Sequence, residues 1–599
     1  MCGIVGIISR KEINEDNLHV MNDTMLHRGP NGSGIFIDEG LGFGHRRLAI
    51  VDLSDAGKQP MHYLDRYTIT FNGEIYNHPE LRAELELAGY EFLSDTDTEV
   101  IMAAYDCWGE ACFNKFNGMW AFCIHDSQED RFILSRDRFG IKPLYYWANE
   151  NSFVFASEIK AILAYENFGE VTPNLESLTS YLDRGPQEYL SETAFSGVKR
   201  FPFSSYSIVT KAELLGGDLN AKSYWGLTPN NAKASYSKAS LSKYSEDYRL
   251  LLKDAVKLRL RADVKVGSAL SGGIDSSSIV SMINEALAEE GKFDKQETFS
   301  SVYKADGTKE CDESQYIDLL AKHLNVKSNQ IEPNAVDIPD AHAKMIYHME
   351  LPPSGTCMSG WHTFKLVSQS NVVVTLDGQG ADEQLAGYDG YVTNYVANTG
   401  FLSALFESVK VKRATLRRRA MKGFIFKILR ALIGQAAALK LLKVDKNFLV
   451  KQTMPLNEKL KQDLFENLVT LLHYSDRVSM AHSIESRMPF LDYRLVEFLA
   501  SVPAPYKYRH GWSKYLARIS MAEKLPADIL WRKDKMGWPV PEEHWFNGQH
   551  KIWLHNKIEN SKFLQSYFPS EIEACKKAKL QHKLKLLNIA VWSETFCVK

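Results

Sequence analysis

The sequence predicts two domains: an α+β domain of stacked antiparallel sheets between helices, followed by an α/β domain with a doubly wound parallel sheet and a helical C-terminal part. From Cys2 to about residue 210, short segments of alternating apolar and polar residues are separated by Asn, Gly and Asp, which is typical of antiparallel strands. Further on, apolar strands such as VKVGSAL alternate with helical segments such as IVSMINEALAEE, which indicates a parallel sheet. From about Leu456 onward, helical patterns predominate.

A change in composition separates the two domains. Residues 223–245 are rich in Ser, Asn, Lys and Tyr and show little periodicity, as expected of a linker. We therefore predict a first domain at residues 2–210, a linker at 211–245 and a second domain at 246–599.

The composition is that of an ordinary globular protein. A net charge of −3 gives the whole chain no bias toward nucleic acid or membranes. The eight cysteines include no CxxC pair and no spacing typical of zinc sites, and no secretory segment or apolar run of about 18 residues occurs. We therefore expect a soluble, cytoplasmic protein with reduced thiols, no transmembrane segment and no nucleic-acid partner.

Cys2 is a candidate nucleophile because of its position in the chain. Removal of Met1 would leave it with a thiol and a free α-amine, and an amine with an ordinary pKa of about 7.7–8 can accept the thiol proton. A cysteine at position 2 is by itself more often incidental. Six ordered motifs give it context: MCGIVGI, HRGPNGSG, HRRLAIVDLS, FNGEIYN, SDTDTEV and RDRFGIKPLYY.

Together these motifs resemble the class II glutamine amidotransferases over the whole first domain. The resemblance implies an N-terminal nucleophile hydrolase fold in which Cys2 attacks the glutamine carboxamide, with an oxyanion hole formed by Asn72 and the backbone N–H of Gly73. It also implies that Arg47 pairs with the α-carboxylate of glutamine and that Glu74 and Asp97 hold its α-amino group. The implied glutamine-binding set is Arg47, Ile50, Val51, Asn72, Gly73, Glu74 and Asp97.

These residue types suit the implied chemistry. A planar guanidinium binds a carboxylate through two parallel hydrogen bonds, and an amide with a backbone donor can stabilise an oxyanion. Taken singly, each residue also has a structural interpretation: Arg47 as a surface ion pair, Asn72 as a turn residue and Asp97 as a helix cap. The order of the motifs favours the catalytic interpretation.

The motif SGGIDSS (271–277) lies between a predicted strand and a predicted helix. Backbone N–H groups at Ser271, Gly272 and Gly273, together with the helix N-terminus, favour a phosphate there, and Asp275 could hold Mg²⁺ on a pyrophosphate. An ordinary capped turn is the alternative.

The extended motif resembles the PP-loop of ATP pyrophosphatases, which implies cleavage of ATP to AMP and pyrophosphate. In LDGQGADE (376–383), Asp382 matches the second metal carboxylate of that group. The further motifs DRVSMAHSIESRMPFLD (476–492) and KMGWPVP (535–541) make the second domain resemble the asparagine synthetases, and Lys535 matches a lysine that steadies the charges of the adenylate and pyrophosphate. The implied ATP-binding set is Leu270, Ser271, Gly272, Gly273, Asp275, Ser276, Ser277, Val302, Asp377 and Gly378, with Mg²⁺ at Asp275 and Asp382.

Two departures from the asparagine synthetases leave the carboxylate acceptor open. Gln379 stands where many of them have a glutamate, and an amide cannot act as a general base near neutral pH. The segment 351–364, expected to line the acceptor pocket, contains no Arg or Lys. Aspartate is the preferred acceptor, and a sugar uronate or a peptide carboxylate is the alternative. SGGIDSS argues against an amidotransferase acting on a sugar phosphate, and the retained site residues argue against a non-catalytic relative.

The stretch 410–451 is strongly basic, with Asp445 as its only acid. An amphipathic basic helix can bind an anionic membrane surface or a phosphorylated partner. A helical lid packed on the second domain is the alternative, which we favour. The sequence leaves the assembly open, a homodimer included.

Overall fold

The computed structural model describes residues 2–232, 235–291, 296–411, 414–442, 454–533, 537 and 539–599. Within these residues the amino-terminal part contains two antiparallel sheets of six strands each, in the orders β10-β8-β9-β1-β3-β2 and β12-β11-β7-β6-β5-β4. The strands are β1 (Gly3–Ser9), β2 (Gly32–Asp38), β3 (Leu41–Arg47), β4 (Met61–Tyr63), β5 (Tyr67–Ile75), β6 (Gly118–Asp126), β7 (Arg131–Arg136), β8 (Tyr145–Ala148), β9 (Ser152–Ala156), β10 (Lys199–Arg200), β11 (Ser205–Thr210) and β12 (Lys222–Ser223).

The two sheets pack face to face, and helices cover their outer faces. Alternation along β1 decides which side chain faces which layer: Ile4 and Ile8 lie in the core between the sheets, whereas Val5 and Ile7 face the helices. The helices of this part are Glu15–Asp23, His78–Leu87, Asp97–Trp108, Cys112–Lys115, Ile159–Leu163, Leu175–Arg184 and Lys211–Leu215. The predicted layering of the first domain is confirmed.

The second part contains a parallel sheet in the order β15-β14-β13-β16-β17. Its strands are β13 (Lys265–Ala269), β14 (Glu297–Ser301), β15 (Lys327–Ile331), β16 (Val372–Leu376) and β17 (Glu485–Arg487). Because β13 and β16 are neighbours and parallel, the loops that follow them lie side by side at one edge of the sheet.

Helices surround this sheet and make up most of the C-terminal part, as predicted. They are Lys238–Arg259, Ile274–Glu289, Ser314–Leu324, Ile338–Met349, Met358–Ser368, Ala381–Leu385, Tyr391–Asn398, Phe401–Lys410, Ala414–Leu441, Leu456–Phe465, Asn467–Met480, Tyr493–Ser501, Ala504–Lys507, Tyr515–Ser520, Ala527–Leu530, Glu542–Asn547, Lys551–Glu559, Lys562–Tyr567, Pro569–Cys575 and Leu580–Thr595. Short 3₁₀ helices occur at Asp55–Gly57, Gly109–Ala111, Lys309–Cys311, Ala335–Asp337 and Pro489–Leu491. Among the described residues, no helix is both long and apolar enough to cross a bilayer.

The segment 211–245, predicted as a linker, contains regular structure. Strand β12 pairs with β11 and so extends the second sheet past residue 210, and the helix Lys238–Arg259 begins before residue 246. In the basic stretch 410–451, helix Ala414–Leu441 packs on the second domain through Ala420 and Phe424. Residues 443–451 and Lys535, with part of its motif, lie outside the described residues.

Candidate active sites

Cys2 directly precedes β1 and is buried where the two antiparallel sheets meet. Its backbone nitrogen donates to Oδ1 of Asn72 at 3.0 Å, and its carbonyl oxygen accepts from Nε of Arg28 at 3.0 Å. Asn72 belongs to β5 of the other sheet, so the predicted nucleophile and the predicted oxyanion residue are joined by a direct hydrogen bond. At the adjacent Gly73 a Cβ would lie 2.2 Å from the carbonyl oxygen of Met119, so only glycine fits this position.

Glu74 and Asp97 are two buried carboxyls beside this hydrogen bond, and with Cys2 and Asn72 they form the amino-terminal centre. Asp97 begins a helix, and its Oδ2 accepts from the backbone N–H of Ile75 at 2.8 Å. Burial and the charge of Asp97 raise the pKa of Glu74 to about 8, and burial raises the pKa of Asp97 to about 7. Both carboxyls would ionise more readily with a cation between them, as expected of a site for an α-ammonium group.

Arg47 ends β3, one residue after Arg46, which pairs with Gly3. Its Nη1 donates to the carbonyl oxygen of Ser54 at 2.7 Å, and its Nη2 donates to that of Asp52. The guanidinium is therefore held by main-chain carbonyls beside a cavity of about 590 Å³.

The loop after Arg47 packs against the second domain. Ile50 is buried in a core that includes Tyr248 and Leu252, and Val51 packs against the same core. The carbonyl oxygen of Ile50 accepts from the backbone N–H of Asp263 at 2.8 Å. The side chain and the carbonyl oxygen of Ile50 therefore both serve domain contact.

The loop 270–277 connects β13 to helix Ile274–Glu289. Gly272 has φ +70°, and a Cβ on it would lie 2.8 Å from Cβ of Tyr316. The hydroxyl of Ser276 closes the loop, because it accepts from the backbone N–H of Ser271 at 3.3 Å and donates to the carbonyl oxygen of Gly273 at 3.2 Å.

The adenine-side residues of the predicted set flank this loop. Leu270 and Val302 are both buried, and the backbone N–H of Leu270 donates to the carbonyl oxygen of Phe299 at 3.0 Å. The helix N-terminus and the loop together offer N–H groups to an anion.

The loop after β16 touches the first loop. A Cβ at Gly378 would lie 2.9 Å from the backbone nitrogen of Ser276, so the two loops form one surface. Asp377 is buried, its backbone N–H donates to the carbonyl oxygen of Arg487 at 2.8 Å, and burial raises its pKa to about 6. The loops 270–277 and 377–380, with Asp382, form what we term the carboxy-terminal centre.

Asp275 and Asp382, the two predicted metal carboxylates, converge on one buried ammonium group. Lys514 Nζ contacts Asp275 Oδ2, and it lies 2.5 Å from Asp382 Oδ1. Carboxylates that meet at one point suit a hard divalent cation together with phosphate oxygens. In the described part of the chain, no group of three or more His, Cys, Asp or Glu side chains is placed to bind a metal ion. Sequence reasoning missed Lys514, because the pairing spans 239 residues.

A cavity of about 440 Å³ adjoins both loops and contains Gln379. Cys357, Ser359 and Gly360 of the predicted acceptor segment line it, together with Tyr388 and Tyr474. No Lys or Arg is among its described lining residues. Tyr388 also donates to Oε1 of the buried Glu383 at 2.6 Å, and burial and Asp382 raise the pKa of Glu383 to about 7.

Strand β17 contacts both centres. Nη2 of Arg487 lies 3.3 Å from Oε2 of Glu74 in the amino-terminal centre. Ser486, the residue before Arg487 in β17, donates from Oγ to Oδ2 of Asp377 in the carboxy-terminal centre. Arg487 belongs to the motif DRVSMAHSIESRMPFLD (476–492), but nothing in this motif indicates that its side chain faces Glu74.

Buried ion pairs also join the two parts of the chain. Arg28 pairs with Asp476 at 2.9 Å and with Glu158 at 2.9 Å. Arg477 pairs with Glu158 at 2.8 Å and with Glu350 at 2.9 Å. Since removing one member of a buried pair leaves an uncompensated charge, these pairs strongly favour one arrangement of the two parts.

Comparison with known proteins gives matches over nearly the whole chain. Residues 1–225 match the family described as glutamine amidotransferase domain, and residues 247–593 match the family described as asparagine synthase. The chain is 31% identical to asparagine synthetase [glutamine-hydrolyzing] 1 of Bacillus subtilis, over 94% of this chain and 90% of that protein.

More distant matches are also found. The chain is 27% identical to amidase chyE of Penicillium rubens, over 93% of this chain and 91% of that protein. Among solved structures, a glutamine phosphoribosylpyrophosphate amidotransferase from B. subtilis matches 48% of this chain and 64% of its own, with 17% identity and a TM-score of 0.28.

Proposed function

Since this chain belongs to the asparagine synthase family and is a glutamine-dependent amidoligase, we propose that it makes asparagine from aspartate, glutamine and ATP. Glutamine is hydrolysed at Cys2 to glutamate and ammonia. ATP activates the side-chain carboxylate of aspartate as an acyl-adenylate with release of pyrophosphate, and ammonia then displaces AMP. The observation that supports the proposal is the contact of β17 with both centres, because it joins the proposed glutaminase centre to the proposed adenylation centre in one folded unit.

The amino-terminal centre supports the glutaminase step. Once Met1 is removed, the nitrogen of Cys2 that now donates to Asn72 becomes an α-amine, which can take the thiol proton. Glu74 and Asp97 would hold the α-ammonium group of glutamine, and Arg47 would pair with its α-carboxylate. Asn72 and the N–H of Gly73 would stabilise the oxyanion, to which one donor typically contributes about 100- to 1000-fold in rate.

The carboxy-terminal centre supports adenylation. The N–H groups of the loop 270–277 and the ammonium group of Lys514 would neutralise the phosphates of ATP. Asp275 and Asp382 would hold Mg²⁺, which when bound would offset further phosphate charge. Lys535 stays a prediction of a second phosphate-binding lysine.

A proton acceptor is needed when ammonia attacks, and Gln379 cannot serve. Glu383 is the carboxyl best placed for this step, because its pKa of about 7 permits proton uptake near neutral pH and Tyr388 connects it to the cavity. The proton would pass from the attacking nitrogen to the hydroxyl of Tyr388 as that hydroxyl gives its own proton to Glu383.

Another acceptor carboxylate is the second candidate, and one observation favours it. The cavity beside Gln379 offers three carboxylates, Asp275, Asp377 and Asp382, and no cation among its described lining residues. An amino acid acceptor would bring an α-carboxylate that needs such a cation, whereas a sugar uronate or a peptide carboxylate carries a single carboxylate to be activated. The name amidase of chyE agrees with diversity of acceptors among the relatives.

A pyrophosphate assay distinguishes these acceptors. Purified protein is supplied with glutamine, ATP and Mg²⁺ and with aspartate, galacturonate or a peptide that ends in alanine and so carries a single carboxylate. Aspartate-dependent release of pyrophosphate and AMP is expected, with asparagine as product. Release only with a uronate or a peptide would replace aspartate by that acceptor, and cleavage to ADP and orthophosphate would exclude adenylation.

A further inference from the structure

Helix Phe401–Lys410 turns its apolar side outward. Its buried side consists of Ala404, Glu407 and Ser408, and Glu407 accepts from the backbone N–H groups of His510 and Gly511, each at 2.9 Å. The exposed apolar residues follow helical spacing on the opposite side. They are Phe401, Leu402, Leu405, Phe406 and Val409, of which Leu402 is 80% exposed.

Helix Ala414–Leu441 packs beside this apolar side and adds positive charge to it. The rings of Phe401 and Phe424 lie 5.2 Å apart, which joins the two helices. Gly434, with φ 77° and ψ 167°, interrupts the helical backbone of Ala414–Leu441. Among the described side chains of this helix, six cations and four large apolar residues are exposed. They are Arg417, Arg418, Arg419, Lys422, Arg430, Lys440, Ile425, Leu432, Ile433 and Leu441. We term the exposed residues of both helices the basic face.

The charge of this stretch contrasts with that of the whole chain. Residues 410–451 contain thirteen Lys and Arg and one acidic residue, although the chain has a net charge of −3. Contiguous exposed apolar residues mark interaction surfaces, and a surrounding of cations selects an anionic partner.

We propose that the basic face binds the surface of an anionic phospholipid bilayer. The apolar side chains would enter the boundary between headgroups and acyl chains while the arginines and lysines pair with lipid phosphates. A second copy of this chain is disfavoured as occupant, because a two-fold interface through this face would oppose the Arg417–Arg419 clusters of both copies.

Binding there would matter for the adenylating side of the protein. Lys410 of the basic face and the adjacent Val411 and Leu416 line a cavity that also contains Asp382 and Lys514. Docking would therefore bring this side of the carboxy-terminal centre next to the bilayer. An acceptor carboxylate carried at the membrane surface would then be within reach.

Vesicle sedimentation of the full chain tests the proposal. We expect binding to vesicles containing about one third phosphatidylglycerol and none to phosphatidylcholine alone. The variant Arg417→Gln/Arg418→Gln/Arg419→Gln should lower the partition coefficient about a hundredfold. The control Lys576→Gln/Lys577→Gln/Lys579→Gln removes three cations from another exposed cluster and should bind like the wild type.

The apolar contribution is tested in the same way. Leu402→Gln/Leu405→Gln/Val409→Gln should lower anionic-vesicle binding at least about tenfold, whereas Leu87→Gln/Leu93→Gln, at two highly exposed leucines elsewhere, should not. Equal binding to both vesicle types, or equal loss in the basic-face and control variants, would overturn the proposal. The proposal would also be overturned if a phosphorylated protein were the only ligand of the basic face, or if the chain dimerised through this face. Pyrophosphate release without vesicles should stay unchanged in all variants, so failure of docking and failure of the proposed reaction are separable.

Discussion

The two centres hold their charged groups in opposite ways. In the amino-terminal centre, Glu74 and Asp97 are buried close to each other with raised pKa values. In the carboxy-terminal centre, Asp275 and Asp382 already share the ammonium group of Lys514, beside a loop of backbone N–H groups. The first centre gains from a cationic ligand, whereas the second offers N–H groups and the ammonium group of Lys514 to an anion beside two carboxylates that suit Mg²⁺. This difference fits an α-ammonium group in one and phosphates in the other.

Replacing the nucleophile should separate the centres most strongly. We expect Cys2→Ala to lower glutamine-dependent synthesis about ten-thousandfold or more, because no other residue replaces the thiol. Synthesis with ammonium chloride should persist, since adenylation uses other residues. Product formation with each nitrogen source measures both activities, and the exposed Cys597→Ala serves as control. Loss of both activities in a folded variant would contradict the separation.

The converse substitution addresses the carboxy-terminal centre. Asp275→Asn should lower pyrophosphate release about 100- to 1000-fold, because the site loses a charged ligand for the metal and leaves Lys514 with one carboxylate. Glutamate release from glutamine should continue. If Asp275→Asn abolishes glutamate release while the protein stays folded, the two centres are not chemically independent.

Local sequence patterns were sufficient to predict several strands and one loop of this protein. Period-two alternation predicted strands such as β1, and a glycine-rich turn between strand and helix predicted the loop 270–277. The order of strands in each sheet could not be predicted from local patterns, because pairing such as that of β1 with β9 depends on contacts between distant segments. Strand β12 lies inside the segment 211–245 that was predicted as a linker. The sequence did not indicate this strand, because two residues are too few to show a period.

In the two candidate centres as well, some residues could be predicted from local motifs and others could not. Residues in dense motifs, such as Asn72 and Asp382, could be proposed from the sequence. Lys514 and Arg487 could not be assigned roles, because each acts across the fold on a carboxylate from a distant segment. A lysine or arginine ordinarily lies on a solvated surface, so burial is the feature that distinguishes these two, and burial is not visible in the local sequence.

Arg487 is where the two centres are joined, and removing its charge should affect stability and glutamine binding together. Arg487→Met should lower the free energy of unfolding by about 3 kcal/mol, because Glu485 and Glu74 lose their buried partner. It should also raise the KM for glutamine, since Arg487 favours the ionised form of Glu74. Urea unfolding and glutamate release measure these effects. Arg487→Lys keeps the charge and should change KM less; equal KM values in all three proteins would refute this role.

The pH dependence of glutamine binding should follow the two raised pKa values. Glu74 and Asp97 are protonated in the free protein below about pH 7, and the ammonium group of glutamine requires them ionised, so the KM for glutamine should fall about tenfold between about pH 6 and 8. By the same linkage these carboxyls hold more protons folded than unfolded, so their contribution to stability decreases as pH rises over this range. Asp97→Asn should flatten the KM profile, and a flat wild-type profile would contradict the assignment.

The smallest effect concerns the shape of the phosphate-binding loop. Gly272→Ala introduces a Cβ 2.8 Å from Cβ of Tyr316 at a φ of +70°, whereas Gly217→Ala meets nothing within 4 Å at a φ of +76°. Both should lose about 1 kcal/mol of stability from backbone strain. Only Gly272→Ala should also raise the KM for ATP, by about tenfold, because relief of the contact moves the N–H groups that face the phosphates. Thermal unfolding measures the loss of stability, and pyrophosphate release measures the KM for ATP. An unchanged KM for ATP in Gly272→Ala would mean that ATP phosphates do not bind against this loop.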